Sequence, residues 1–285
     1  MQKIKENRLL SFFIIALIYT LTGFVGFFIY KILPLHFALK LLIADVAATA
    51  FCFAFSIIFS NASVYDPYWS VQPPFILLCS VIANGASRSA LIILLVVFFW
   101  AIRLTANWAY TFTGLNHQDW RYTMLKEKTG KMYPVINFVG IHLVPTLVVY
   151  ACVLPAVYVI RSGAVPNVPF VISAAVSIFA VVIQALSDIE MQSFRKEKRQ
   201  GFIRTGLWKY SRHPNYLAEI LMWWGVGFAA FSLMPSRPYL LAGALLNTLL
   251  FLLVSIPMAE KRQSKKAGFE KYKNATRVLL PIPKK

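Results

Sequence analysis

The sequence predicts an all-α, polytopic membrane protein, and three observations carry that expectation. Of its 285 residues 58% are hydrophobic and only 14% charged, and the mean hydropathy is +0.62, a balance outside that of soluble domains. Apolar runs of the roughly 20 residues a helix needs to cross a bilayer recur at about 9–30, 35–59, 91–112, 135–160, 168–187, 216–234 and 239–257. Between them stand the basic residues, which give the chain its net charge of +18.

Each run is justified in turn. The first is too long for the apolar region of a signal peptide and continues into Lys31-Ile32-Leu33-Pro34 rather than a small-residue cleavage site, so it is expected to stay as a helix. After the second comes VYDPYWSVQPP, residues 64–74, where Pro67, Pro73 and Pro74 argue against a regular helix and Tyr65, Tyr68 and Trp69 supply rings suited to an interface or a ligand. PPFILLCSVIANGASRS, residues 73–89, is apolar but short and closes at Asn84-Gly85; it reads as a re-entrant piece or part of a bent helix. The bundle therefore has seven transmembrane helices, or eight if this stretch crosses. Residues 1–60 form an N-terminal two-helix segment and 61–285 the rest of one continuous bundle, with no repeat or soluble domain.

The charge is spread over loops, which excludes a basic nucleic-acid-binding face. Four Lys and Arg residues lie in 112–134, seven in 188–214 and nine after Met258. With seven spans these segments share one side, and the positive-inside rule makes that side, and the C-terminus, cytoplasmic. Lys3, Lys5 and Arg8 would then lie outside, a conflict that an eighth span removes. The rule holds for a bacterial inner membrane and for the endoplasmic reticulum alike. Cys52, Cys79 and Cys152 sit in apolar segments without metal-ligand spacing, so neither a disulfide nor a metal site is expected.

An ionisable side chain inside a span costs at least a few kcal/mol, so each needs a partner or a cavity. The candidates are Asp45, Asp66, Arg103, Asp188, Glu190 and Glu219. Arg103 shares a helical face with Asn107 at i+4. Asp188 precedes Arg195 by two turns, and Lys196, Lys198 and Arg199 extend a cationic cluster suited to the phosphates of a lipid or a nucleotide. GLWKYSRHPNYLAE, residues 206–219, gathers Arg212, His213, Asn215, Tyr216 and Glu219; Gly206 ends the preceding helix, Pro214 suits the first turn of the next, and Asn215 and Glu219 share its face. The tail from Glu260, Lys-rich with Phe269, Tyr272 and Leu279 interspersed, reads as an amphipathic piece on the cytoplasmic surface attracted to anionic lipid.

The 206–219 stretch resembles the membrane-integral steroid 5-alpha reductase family, above all its bacterial branch, and sterol reductases carry a similar Arg-His-Pro-Asn-Tyr element. The resemblance runs from Asp66 to Pro281 and is strongest from Asp188 onward. It implies a helical bundle that holds NADPH on the cytoplasmic side and reduces the carbon–carbon double bond of a lipophilic enone. Carried over by position, Asp188 and Arg195, with Gln184 where the family has Asn, would meet the adenosine and phosphate end. Asn215 and Glu219 would lie beside the nicotinamide amide, and Arg103 would support the cofactor. Arg195, with Lys196 or Arg199, has the chemistry to grip a ribose 2′-phosphate. No Gly-x-Gly-x-x-Gly stretch occurs, so a Rossmann domain is excluded.

At the substrate end, the family's Glu and Tyr positions fall on Asp66 and Trp100. Because an indole N–H cannot deliver a proton, either a protonated Asp66 acts directly or a phenol such as Tyr65, Tyr68 or Tyr122 substitutes. Isoprenylcysteine-type methyltransferases, which use S-adenosylmethionine, look similar near Arg-His-Pro-x-Tyr and end in a comparable Glu-containing tail. Asn215, Asp188 with Arg195, and Arg103 favour the reductase. A non-catalytic lipid-binding protein is the third reading.

Overall fold

The computed structural model describes residues 5–197 and 200–282. Among them the chain is helical apart from one isolated parallel bridge between Ser211 and Arg277. Seven helical runs are long and apolar enough to cross a membrane: α1 (Arg8–Ile32), α2 (Phe37–Ile58), α4 (Arg88–Thr111), α5 (Trp120–Ser162), α6 (Val168–Lys196), α7 (Pro214–Leu233) and α8 (Pro238–Gln263). The shorter helices are α3 (Tyr68–Asn84) and α9 (Phe269–Ala275).

Capping residues set the boundaries. Asn7 accepts the Leu10 N–H at the start of α1, Asn167 accepts that of Phe170 at the start of α6, and Pro214 opens α7, where its missing N–H costs nothing. Residues 68–74 correct an expectation, since α3 is a regular helix that contains Pro73 and Pro74. Both prolines fall within its first two turns, so the damage is confined to two lost backbone bonds, while an apolar surrounding penalises every alternative that leaves more backbone unpaired.

Two helices change pitch just before a proline. In α5 the stretch Asn137–Leu143 is π-helical ahead of Pro145, and in α8 Phe251–Ser255 is π-helical ahead of Pro257. A proline offers no N–H to the carbonyl four residues back, and the wider turn lets the preceding amide reach one residue further: Val144 N–H bonds the Val139 carbonyl and Ile256 N–H that of Phe251.

The chain divides into two compact units, Met1–Cys79 with Leu104–Leu154, and Ser80–Arg103 with Pro155–Lys285. In the first, α1 and α2 bury Ile15, Ile18, Ala48 and Cys52 with Tyr65, Tyr68 and Leu115. Its chain segments are tied at one end: Arg8 Nη2 donates to the Ala109 carbonyl at 2.9 Å, Lys5 Nζ to that of Phe59, and Asn61 Nδ2 to those of Leu115 at 2.7 Å and His117 at 3.0 Å. In the second unit α6 and α7 pack most closely at Gly225, where a Cβ would lie 2.1 Å from Ser177 Oγ and 2.8 Å from the Ser173 carbonyl. Cys52, Cys79 and Cys152 are free thiols.

Candidate functional site

The second unit converges on one carboxylate. Glu219, in the second turn of α7 and 7% exposed, accepts hydrogen bonds from four side chains on three helices. Trp100 Nε1 of α4 donates to both of its oxygens at 2.9 and 3.0 Å. Arg103 Nη2, one turn along α4, donates to Oε2 at 3.2 Å, Gln184 Nε2 of α6 to the same oxygen at 2.8 Å, and Trp223 Nε1 of α7 to Oε1 at 2.9 Å. Trp100 and Gln184 are fully buried. The acceptor capacity of this buried carboxylate is thus filled by three neutral N–H donors and one guanidinium.

Arg103 bridges two acids, since Nη1 also donates to Asp188 Oδ2 at 3.0 Å. Asp188 therefore has Arg103 as its hydrogen-bonded partner, whereas Arg195, two turns on, is exposed at the end of α6. Three polar atoms in this group are buried without a hydrogen-bond partner among the described residues: Arg103 Nε, Gln184 Oε1 and Asn215 Oδ1.

Arg212 and His213 do not join the Glu219 network. Arg212 makes a bidentate contact with Glu260 of α8, Nε to Oε1 at 2.8 Å and Nη2 to Oε2 at 3.0 Å, and its Nη1 donates to the carbonyls of Lys273 and Thr276. His213 Nε2 lies 3.0 Å from Glu260 Oε1, and its ring stacks on Tyr216 at 5.1 Å. Backbone bonds from Arg212 N–H to the Arg277 carbonyl and from His213 N–H to that of Val278 complete the attachment of the 208–213 segment to the tail. The tail, expected as a surface piece, is thereby anchored through Thr276 and the ring of Phe269, both buried.

The turn that leads into this segment is held by Glu190. Its two oxygens accept the Leu207 N–H at 3.2 and 3.0 Å. Gly206 has φ +58°, and a Cβ there would lie 2.1 Å from Glu190 Oε1, so only glycine fits.

Asp66 and Tyr68 lie in the first unit and Trp100 in the second. Asp66 accepts from Tyr122 Oη at 2.7 Å. Burial pushes its carboxyl up to about 6, against the hydrogen bonds from Tyr122 and Ser63 and the charge of Arg121. Tyr68 is buried. Asn107 lies one turn beyond Arg103 on the same helix, α4. Arg199 lies outside the described residues.

Asp45, singled out in the sequence only as a charge at depth, is 4% exposed on α2 and faces Gln72 and Tyr68, yet neither carboxyl oxygen forms a hydrogen bond among the described residues. Trp223 was not singled out at all, although its i+4 spacing from Glu219 placed it on the right face. Nothing local in the sequence marks Glu260 as the partner of Arg212, because 48 residues separate them.

The fold and this buried charged network define a polytopic α-helical membrane protein with a polar site inside its helices. The chain belongs to the family described as a protein of unknown function, DUF1295, whose model matches residues 52–276. It is similar to an uncharacterised protein of Schizosaccharomyces pombe, with 26% identity over 244 residues covering 74% of this chain and 68% of the relative. No solved structure matches it.

Proposed function

We propose that the protein is a membrane-embedded, NADPH-dependent reductase of the carbon–carbon double bond of a lipophilic, steroid-like or isoprenoid-like enone. The observation that carries this reading is the pair of buried carboxamide oxygens, Gln184 Oε1 and Asn215 Oδ1, that lack a donor in a neighbourhood where Glu219 is saturated. A buried acceptor left unpaired costs about 1–3 kcal/mol, and the amide hydrogens of a nicotinamide or the amino hydrogens of an adenine would remove that cost. The residues present therefore fit the cofactor that the resemblance implies.

Asn215 would hold its nicotinamide amide and Gln184 its adenine amine, with Glu219 and Asp188 keeping the Arg103 guanidinium in place. Arg195, exposed beyond them, would meet the 2′-phosphate. When bound, NADPH supplies hydride to the β-carbon of the enone. Negative charge then builds on the carbonyl oxygen and needs a hydrogen-bond donor. Trp100 is not that donor, because its N–H is committed to Glu219; its part is to fix the carboxylate. Asp66, which accepts from the Tyr122 hydroxyl and whose carboxyl burial pushes up to about 6, has the chemistry of a proton donor.

Melting curves of the purified protein with NADPH, NADH and S-adenosylmethionine test the proposal. Stabilisation by NADPH well above that by NADH is expected, and the preference should vanish in Arg195→Ala. Stabilisation by S-adenosylmethionine alone would move the protein to the methyltransferase reading, and by none of the three to a lipid-binding one.

A further inference from the structure

A second polar site lies in the first unit, apart from the residues discussed above. Where α2 ends, a cleft of about 150 Å³ has Ser56, Ser60, Asn61, Lys126, Tyr133 and Asn137 as its polar lining. Asn137 is 2% exposed. Its Nδ2 donates to Ser56 Oγ at 3.3 Å, while its Oδ1 has no partner among the described residues. Tyr133 Oη is likewise buried and unpaired, and the Lys126 ammonium lies 6.0 Å from the Tyr133 ring centroid. Asn61 cannot satisfy these groups, because its Nδ2 is taken by the carbonyls of Leu115 and His117 and its Oδ1 by the Ser63 N–H.

The donor and acceptor balance defines what would fit. The lining offers one ammonium and the hydroxyls of Ser60 and Tyr133, and it contains no carboxylate, so the ligand is an anion rich in acceptor oxygens. One group runs against that trend: Asn137 Oδ1 is an acceptor and needs a donor from the ligand. A bare phosphate dianion supplies acceptors only, whereas a phosphodiester whose alcohol carries hydroxyls supplies both. Around the cleft stand apolar side chains with large exposed areas, among them Ile57, Ile58, Met132 and Val135, at the end of an apolar helix of membrane-crossing length. Acyl chains would cover such a surface, which free water would not.

We propose that this cleft binds the head of an anionic phospholipid bearing hydroxyls, of the phosphatidylglycerol type, with Lys126 and Tyr133 on the phosphate and Asn137 on a headgroup hydroxyl. The assignment is independent of the proposed reductase activity.

Native mass spectrometry of the delipidated protein in detergent tests it, with phosphatidylglycerol and phosphatidylcholine of matched chains as probes and inorganic phosphate as competitor. Phosphatidylglycerol should be retained about tenfold more than phosphatidylcholine, whose choline offers Asn137 no hydroxyl and brings a cation toward Lys126. Lys126→Gln and Tyr133→Phe, one at an exposed position and one the loss of a single hydroxyl, should each lower retention of phosphatidylglycerol about tenfold by removing a phosphate contact, without lowering the lipid-free melting temperature. Failure of millimolar inorganic phosphate to compete would place the recognition in the lipid as a whole. Full competition by phosphate would reassign the cleft to the free anion and overturn the lipid proposal. Equal retention of the two lipids, or retention unchanged in both variants, would overturn it as well.

Discussion

At the residue scale, two acids show how position decides chemistry. Glu219 collects two indoles, a carboxamide and a guanidinium, so its charge is compensated inside the bundle. Asp66 has one phenol and a more distant arginine, and burial pushes its carboxyl up to about 6. In the unfolded chain the same group titrates near 3.8. Between those values the folded protein holds a proton that the unfolded chain releases, so stability falls as pH rises from about 4 to about 6 and is level above. Asp66→Asn is expected to remove this slope. Melting temperatures of the two proteins should converge toward pH 4 and separate toward pH 6, with the variant the more stable; parallel profiles would show that Asp66 is not held protonated.

At the element scale, the helices owe their placement to small residues and to proline-compensating turns. Without a hydrophobic force between helices in lipid, close approach relies on residues that let backbones touch. Gly225 of α7 is that residue against α6, where Ser177 Oγ also bonds the Met222 carbonyl at 3.0 Å. Gly225→Ala is expected to cost about 1–3 kcal/mol through overpacking and, because α6 and α7 carry Gln184, Asp188 and Glu219, to weaken NADPH binding too. A melting temperature and a binding isotherm both unchanged from wild type would show that the helices separate freely. The long apolar helices were legible in their composition alone. The π turns were not, since they answer to Pro145 and Pro257 within runs whose hydropathy is uninterrupted.

At the scale of the whole molecule, the number of crossings sets the sidedness. Within the first unit the start of α1, the end of α2 and the end of α4 are tied at one end, so the chain between Ile58 and Thr111 must travel away and return. A crossing by α3, added to the seven helical runs of membrane-crossing length, would supply the outward leg and make the count eight. An even count would bring both termini to one side, which is what the positive-inside rule expects of a basic N-terminus and a basic tail. Reporters fused to the two termini should therefore both read cytoplasmic; opposite readings would mean that α3 does not cross.

The membrane class, the helical fold and the Arg-His-Pro-Asn-Tyr stretch with its Asn215–Glu219 face follow from sequence alone. Hydropathy and i+4 spacing are properties of neighbouring residues, and a bilayer rewards them wherever they occur. Tertiary structure decided the partners: that Asp188 bonds Arg103 while Arg195 is exposed, that Trp100 donates to Glu219, and that Arg212 and His213 clasp Glu260. Those pairings join residues 47 to 119 positions apart. Only the packing of the helices settles which of the available donors reaches each buried acid first.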